Sequence, residues 1–213
     1  SLYRIDYQNY EVILVDNFST NDSIDKIRSW VKWEIEVESK YFKTTKCTHN
    51  LKLFEYSEDD LRDTKYIEWK NEFDKLESNK KLLLLKNKKN YWFAWWNNIA
   101  IMQILKENIS NYTLLLNNDT IVDNLFLNCL TKILDNIDDK VVCVWPKILN
   151  YFFNNKIDSI SIQISPRWWW VDEWNWNDDI SISNKSVFWI SWCCFIIKNI
   201  ILKEVYDKSG YVF

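Results

Sequence analysis

One segment predicts a strand, a turn and a helix in succession: Leu82-Leu-Leu-Leu-Lys-Asn-Lys-Lys-Asn-Tyr-Trp-Phe-Ala-Trp-Trp-Asn-Asn-Ile-Ala-Ile101. Its four leucines form a short apolar run, which is typical of a buried parallel strand. Apolar residues then recur at helical spacing, which predicts a helix from about Asn97 to Glu107. A turn between a strand and a helix can hold a phosphate when its residues lack a Cβ. In this chain three bulky residues occupy that turn: Trp92, Trp95 and Trp96.

The composition of the whole chain also shows many tryptophans and almost no glycine. There are 14 tryptophans and one glycine in 213 residues, whereas glycine ordinarily makes up about 7% of a protein. Trp33 follows an amphipathic helix, at the position where glycine often ends helices. We hypothesise that most of the tryptophans are glycines in the cell, encoded by UGA codons that the organism reads as glycine. Ordinary UGG codons at 92, 95 and 96 would contradict this. Trp30 and Trp69 fall within predicted helices and can be genuine.

Size and charge narrow the class of protein. The length fits one domain with a sizeable core. The net charge of -3, with basic and acidic residues interspersed, argues against a nucleic-acid partner. Five cysteines without paired spacing suggest reduced thiols in the cytoplasm. No apolar run approaches the roughly 20 residues of a spanning helix. Because Ser1 is not a methionine and the last residues read as the middle of an element, we expect an internal fragment, truncated at both ends.

Further strands and helices alternate along the chain, which predicts an α/β fold with a mostly parallel central sheet. Expected strands or extended segments are 11–15, 34–38, 51–56, 82–85, 112–116, 141–144, 157–164, 187–190 and 194–197. Besides the helix after the turn, helical periodicity marks residues 24–31 and 123–136, and part of the charged stretch 58–80.

Polar clusters end three of these strands, at Asp16-Asn17, at the turn 90–98 and at Asn117-Asn118-Asp119. Ligands of open α/β sheets bind at the carboxyl ends of strands. A carboxylate or amide there can bind a nucleotide base, and a glycine turn that opens a helix can bind a diphosphate. One carboxylate among amide oxygens suits Mg²⁺ or Mn²⁺ held together with substrate phosphates. The clusters together predict a nucleotide-diphosphate site, although Asp16-Asn17 and Asn117-Asn118-Asp119 alone read equally well as ordinary turn residues, and residues 90–98 could form an aromatic core segment if their tryptophans are genuine.

Five segments in the same order resemble glycosyltransferase family 2, and the match runs from about residue 8 to the end. Residues 12–23 are similar to "VDNGSTDGS", residues 90–101 to "NxGFAGGNNxGI" and residues 114–120 to "LLNNDT". Residues 144–149 are similar to "VGPKIL" and residues 191–194 to "SGCC". The rhamnosyltransferase-like members look nearest.

The resemblance implies a GT-A, Rossmann-like fold in one partial catalytic domain, with a nucleotide-binding half at about 1–120 and the start of an acceptor-side half at about 121–213. It implies inverting transfer from a nucleotide-diphospho-sugar to a saccharide or lipid-linked acceptor in cell-surface polysaccharide synthesis. The location implied is the cytoplasm, at the inner face of the plasma membrane, with peripheral membrane association of the full protein. The general base would follow Phe213, so the fragment itself is expected to be inactive.

Site residues carry over by position. Asp16 and Asn17 match the base-binding pair, and Asp119 matches the metal-binding carboxylate of the DXD motif, with Asn117 in its first position. The remaining matches lie beside the donor diphosphate, sugar or acceptor: Trp92, Trp95, Trp96, Asn97, Asn98, Ser191, Trp192 and Cys193.

The chain also departs from the family pattern. Phe18 stands where the first loop usually has glycine, and it cannot arise from the same codon reading as the tryptophans. Asn21 replaces a common aspartate, and Ala100 replaces a glycine. Asn117 in place of a carboxylate leaves one charged metal ligand.

Two other functions stay open. If the tryptophans are genuine, exposed aromatic rings could form a carbohydrate-binding or interaction surface, most naturally in the stretch 168–176. The same donor-site residues would also fit a noncatalytic nucleotide-binding remnant.

Overall fold

The chain is an α/β protein that divides into two compact units. The first, here called the parallel-sheet unit, comprises Tyr7–Ile109 and Val205–Phe213. The second, the antiparallel-sheet unit, comprises Ser1–Asp6 and Ser110–Glu204. The predicted halves meeting near residue 120 stay a prediction. The computed structural model describes residues 1–42, 51–60, 70–108, 110–138, 140–164, 170–173, 177–179 and 192–213.

A three-stranded parallel sheet forms the centre of the parallel-sheet unit. It consists of β1 (Ile13–Asp16), β2 (Lys52–Ser57) and β3 (Lys81–Lys86), in the order β1-β3-β2. The central strand β3 buries its four leucines almost completely, from 0% to 4% exposed. A strand with apolar residues on both faces is typical of a covered parallel sheet. The prediction of a buried strand at residues 82–85 is therefore confirmed.

Helices α1 (Ser23–Val31) and α2 (Phe93–Glu107) accompany this sheet. Helix α2 contacts β1, and its Ile101 is only 2% exposed. Helix α1 is tied to β2 because the guanidinium of Arg28 donates two hydrogen bonds of 2.7 Å to Glu55. These bonds hold the pKa of Glu55 down at about 2.

Helix α1 ends in a Schellman motif with Trp33 at its left-handed position. The backbone N–H of Glu34 donates to Ser29 O at 2.9 Å, and that of Trp33 donates to Trp30 O at 3.1 Å. Trp33 has φ 67°, in the region that side chains with a Cβ rarely adopt and glycine adopts freely. The sequence pattern thus placed Trp33 correctly at a position that favours glycine.

The antiparallel-sheet unit contains β4 (Tyr112–Leu116), β5 (Cys143–Val144) and two helices, α3 (Phe126–Asn136) and the start of α4 (Asn199–Ser209). Five further strands belong to this unit, four of which pair as two antiparallel hairpins. These remaining elements are β6 (Ile148–Leu149) with β7 (Ile157–Ser159), β8 (Ser161–Ile164) with β9 (Trp170–Glu173), and β10 (Cys194–Lys198).

Strand β10 lies between β4 and β5 and runs antiparallel to both. The expectation of one mostly parallel sheet is therefore met only by the three strands β1, β2 and β3. Apolar runs identify β4 and β10 as buried strands, but they carry no information about the partner or the direction of pairing.

Three boundaries differ from the sequence-based expectation. Residues 34–38 form no strand, and all five are exposed; an alternating pattern makes a strand only when one face is buried. Helix α2 begins at Phe93 rather than near Asn97, so that positions 95 and 96 fall in its first turn. The expected strand 157–164 breaks at Ile160 into β7 and β8.

The expected strand at residues 187–190 lies outside the described residues. None of the helices in the described ranges has both the length and the apolar character needed to cross a bilayer.

Candidate functional site

The carboxyl ends of β1 and β3 meet at one edge of the parallel sheet. Asp16, the last residue of β1, is in register with Lys86, the last residue of β3. The backbone N–H of Asn87 then donates to Asp16 O at 2.9 Å and extends the pairing by one residue. The polar residues that follow these two strands are therefore neighbours, as ligand sites of parallel sheets require.

Asp16 has a carboxylate with acceptor capacity to spare. The residue is 9% exposed, and the hydrogen bond given to its side chain within the described part of the chain is a long one of 3.3 Å, donated by Ser19 N to Oδ2. A carboxylate can accept about four hydrogen bonds. Asp16 can thus still accept from a ligand N–H or O–H.

Asn17 differs from its neighbour because its amide is fully occupied. Its Nδ2 donates to Asn90 Oδ1 at 2.8 Å and to Tyr91 O at 2.7 Å. Its Oδ1 accepts from Tyr91 N at 3.0 Å and from Asn87 Nδ2 at 3.1 Å. All four bonds join β1 to the loop 87–91, which leads into α2.

Phe18 continues the first loop with φ 65°. This is the position at which the family pattern has glycine, and the left-handed backbone explains that preference, because it disfavours a Cβ. The side chain itself is 51% exposed. The family departure noted in the sequence therefore falls on a conformationally strained residue beside Asp16.

Helix α2 begins at Phe93, directly after Trp92, and no side-chain hydrogen bond caps it in the described structure. Trp92 is the N-cap with φ -63° and ψ 155°, and its indole is 90% exposed. Trp95, in the first turn, is 58% exposed and stacks on Tyr91 with ring centroids 6.3 Å apart. The first N–H groups of a helix are unsatisfied within it and attract anions. Three indoles, those of Trp92, Trp95 and Trp96, stand at this end of the helix.

The two asparagines after this turn point to a structural role. Asn97 is 6% exposed and Asn98 is 5% exposed. Asn98 Oδ1 accepts from the N–H groups of Val212 and Phe213 at 2.9 and 3.0 Å, and its Nδ2 donates to Phe213 O at 2.8 Å. Asn98 thus binds backbone within its own unit.

A second group of predicted residues lies in the antiparallel-sheet unit, after β4 and before β10. The N–H of Asn117 donates to Cys193 O at 2.9 Å, which extends the pairing of these strands. Thr120 Oγ1 donates to Asn117 O at 2.6 Å and closes the turn that carries Asp119. The carboxylate of Asp119 is on an exposed residue.

The surroundings of the Cys193 thiol change its pKa. Burial raises its pKa, and the negative charges of Asp119 and Asp158 raise it further. Asp158, on β7, escaped the sequence analysis because no motif marks it. Trp192 is 36% exposed and packs edge-on against Phe195 at 5.5 Å, whereas Ser191 lies outside the described residues.

The donor set for a divalent cation is small. No group of three or more His, Cys, Asp or Glu residues suited to a metal occurs within the described ranges. Asp119, as an exposed carboxylate next to amide-bearing Asn117 and Asn118, fits Mg²⁺ or Mn²⁺ only in the manner of a site that takes its remaining ligands from substrate phosphates and water.

Residues missed by the motif search include Asn87, which is 5% exposed and has an Oδ1 without a hydrogen-bond partner in the described structure. The available signal was its position directly after β3.

No family model, no curated protein and no solved structure matches the chain. The fold and the residues themselves therefore carry the functional argument.

Proposed function

We propose that this chain is part of an inverting glycosyltransferase of the GT-A, family 2 type that uses a nucleotide-diphospho-sugar donor. The observation that carries the proposal is the common edge of β1 and β3, where Asp16 has acceptor capacity to spare and the loop into α2 is fixed beside it. A base-binding carboxylate and a helix N-terminus at one edge of a parallel sheet suit a nucleotide diphosphate.

In this proposal Asp16 accepts a hydrogen bond from the base, and the N-terminus of α2 faces the donor. By its match to the family's metal-binding carboxylate, Asp119 would hold Mg²⁺ or Mn²⁺, and the ion would neutralise charge on a diphosphate leaving group. An acceptor hydroxyl attacks the anomeric carbon on the face opposite the diphosphate, loses its proton to a carboxylate base, and displaces the diphosphate with inversion. The acceptor is a saccharide or a lipid-linked acceptor used in cell-surface polysaccharide synthesis, and the full protein works at the inner face of the plasma membrane.

The donor part of the proposal is tested by titrating UDP, dTDP and GDP, with Mg²⁺, into the full-length native protein by calorimetry. We expect one of them to bind, and Asp16→Asn to weaken it roughly 10-fold through the lost charged acceptor. Asp22→Asn is the matched control, because Asp22 is exposed and, within the described residues, its carboxylate pairs with Lys26 one helical turn further along α1. Equal effects of the two variants, or no binding at all, would contradict the proposal.

The catalytic part needs a transfer assay with the sugar nucleotide that binds. A product of inverted configuration supports the enzyme, whereas tight donor binding without transfer in the full-length protein supports the noncatalytic remnant.

A second candidate function is favoured by the exposure of Trp92 and Trp95 and by the stacking of Trp95 on Tyr91. Exposed aromatic faces are suited to stack on sugar rings. A carbohydrate-binding module requires genuine tryptophans, so the mass of native peptides covering residues 90–98 separates the two functions. Glycine masses at 92 and 95 would remove this alternative.

A further inference from the structure

The loop 87–91 connects β3 to α2, and a single side chain makes four hydrogen bonds to it. The amide of Asn17 makes four hydrogen bonds of 2.7 to 3.1 Å to three residues of that loop: Asn87, Asn90 and Tyr91. An asparagine amide has two N–H donors and an oxygen with two lone pairs. The four bonds use this capacity completely, so Asn17 has none left for a nucleotide base.

The bonds to Tyr91 matter most for the start of α2. Asn17 holds both the N–H and the C=O of Tyr91, which immediately precedes the N-cap at position 92. Fixing both backbone groups of one residue restricts its φ and ψ. Because no side-chain hydrogen bond caps α2 in the described structure, the direction of its first N–H groups depends on this anchored residue.

The carboxylate of Asp16, by contrast, still has capacity to accept hydrogen bonds. Within the described structure, the hydrogen bond to its side chain is a long one of 3.3 Å from Ser19 N. We infer that the predicted base-binding pair is divided: Asp16 contacts the base, and Asn17 is a positioning residue that sets the loop 87–91 and the N-terminus of α2 for the diphosphate. The role of Asn17 in diphosphate binding rests on the proposed function. Its role in holding the loop 87–91, here called the clamp, rests on the hydrogen bonds alone.

The inference is tested with Asn17→Asp, which keeps the two acceptor contacts but replaces both donors with an oxygen facing Asn90 Oδ1 and Tyr91 O. Affinities are measured for uridine, thymidine and guanosine and for their diphosphates. For the nucleotide that binds, we expect Asn17→Asp to weaken the diphosphate about 10- to 100-fold, as the loss of two or so hydrogen bonds would. The free nucleoside should change less than about 2-fold, within the error of additivity for independent sites. Asp16→Asn should weaken nucleoside and diphosphate by the same factor.

Hydrogen exchange gives a readout that needs no ligand. Asn17→Asp should speed exchange of the backbone amides of residues 88–93, and Asp16→Asn should not. Asn90→Ala, which removes one exposed acceptor, should give a smaller effect in the same direction and guards against misfolding of the Asp variant. Equal loss of nucleoside and diphosphate in Asn17→Asp, with unchanged exchange, would overturn the inference. If the unaltered protein binds no nucleotide, the proposed function fails, and exchange alone decides whether Asn17 is a clamp.

Discussion

The end of α1 and the start of α2 both carry tryptophan where glycine is expected, but for different physical reasons. Trp33 has φ 67° within a hydrogen-bonded helix end, so the backbone itself favours glycine there. Trp92 has φ -63° and ψ 155°, and Trp95 and Trp96 lie in helix; these conformations suit any ordinary residue. A requirement for glycine at the start of α2 can come only from something that must approach the backbone.

The comparison separates a position where the backbone itself favours glycine from positions where only a ligand could require it. Solvent exposure agrees with this division, since Trp92 at 90% exposed buries almost none of its indole. Large aromatic side chains normally dominate cores and interfaces. The tryptophans whose side chains are described are all half-buried or exposed: Trp30, Trp33, Trp92, Trp95, Trp96, Trp145 and Trp192.

The largest expected effect is on ligand binding. In a protein made with tryptophan at all printed positions, changing Trp92, Trp95 and Trp96 together to glycine should strengthen nucleoside-diphosphate binding roughly 100-fold, as two hydrogen bonds from backbone N–H groups to an anion would. The measurement is calorimetric titration of the diphosphate that the native protein binds. Trp33→Gly is the control and should leave that affinity unchanged. Comparable affinity with and without the three indoles would mean that no ligand requires glycine at the start of α2.

The next effect is on stability. Trp33→Gly should be more stable than Trp33→Ala by about 1 to 2 kcal/mol, the cost of a Cβ in left-handed backbone. Alanine is the matched reference because it also removes the indole, which is 36% exposed, but keeps the Cβ. Urea unfolding of both variants measures the difference. At position 95, inside α2, the order should reverse, since alanine is favoured over glycine in a helix by about 1 kcal/mol.

Much of this division was readable from the sequence. Helical periodicity in α1 placed Trp33 at the end of the helix, and continuous apolar runs placed β3 and β4. Local patterns succeed here because burial and helix ending are decided by neighbouring residues. The start of α2 was placed about four residues late, because a turn of glycines was expected where the chain is already helical.

Contacts between distant residues were beyond reach of the sequence. The amide of Asn17 finds its partners 70 to 74 residues away, and no local pattern distinguishes an occupied amide from an available one. The antiparallel pairing of β10 with β4 joins segments about 80 residues apart. The sequence pattern therefore predicted which polar residues lie at the strand ends. It did not predict which of them keep hydrogen-bonding capacity for a ligand.

The smallest effect expected is at Phe18, which shares the left-handed conformation of Trp33 with φ 65° but lies in a loop without the paired hydrogen bonds of a helix end. Such a loop can relax part of the strain, so Phe18→Gly should exceed Phe18→Ala in unfolding free energy by about 1 kcal/mol or less. Asn108, with φ 52° at the end of α2, is the reference, because asparagine tolerates this region and its change to glycine should gain only a few tenths of a kcal/mol. Thermal and urea unfolding measure both pairs. A larger gain in stability at Asn108 than at Phe18 would mean that left-handed backbone strain does not determine the order of these changes. The explanation of Trp33 depends on the same strain and would be weakened.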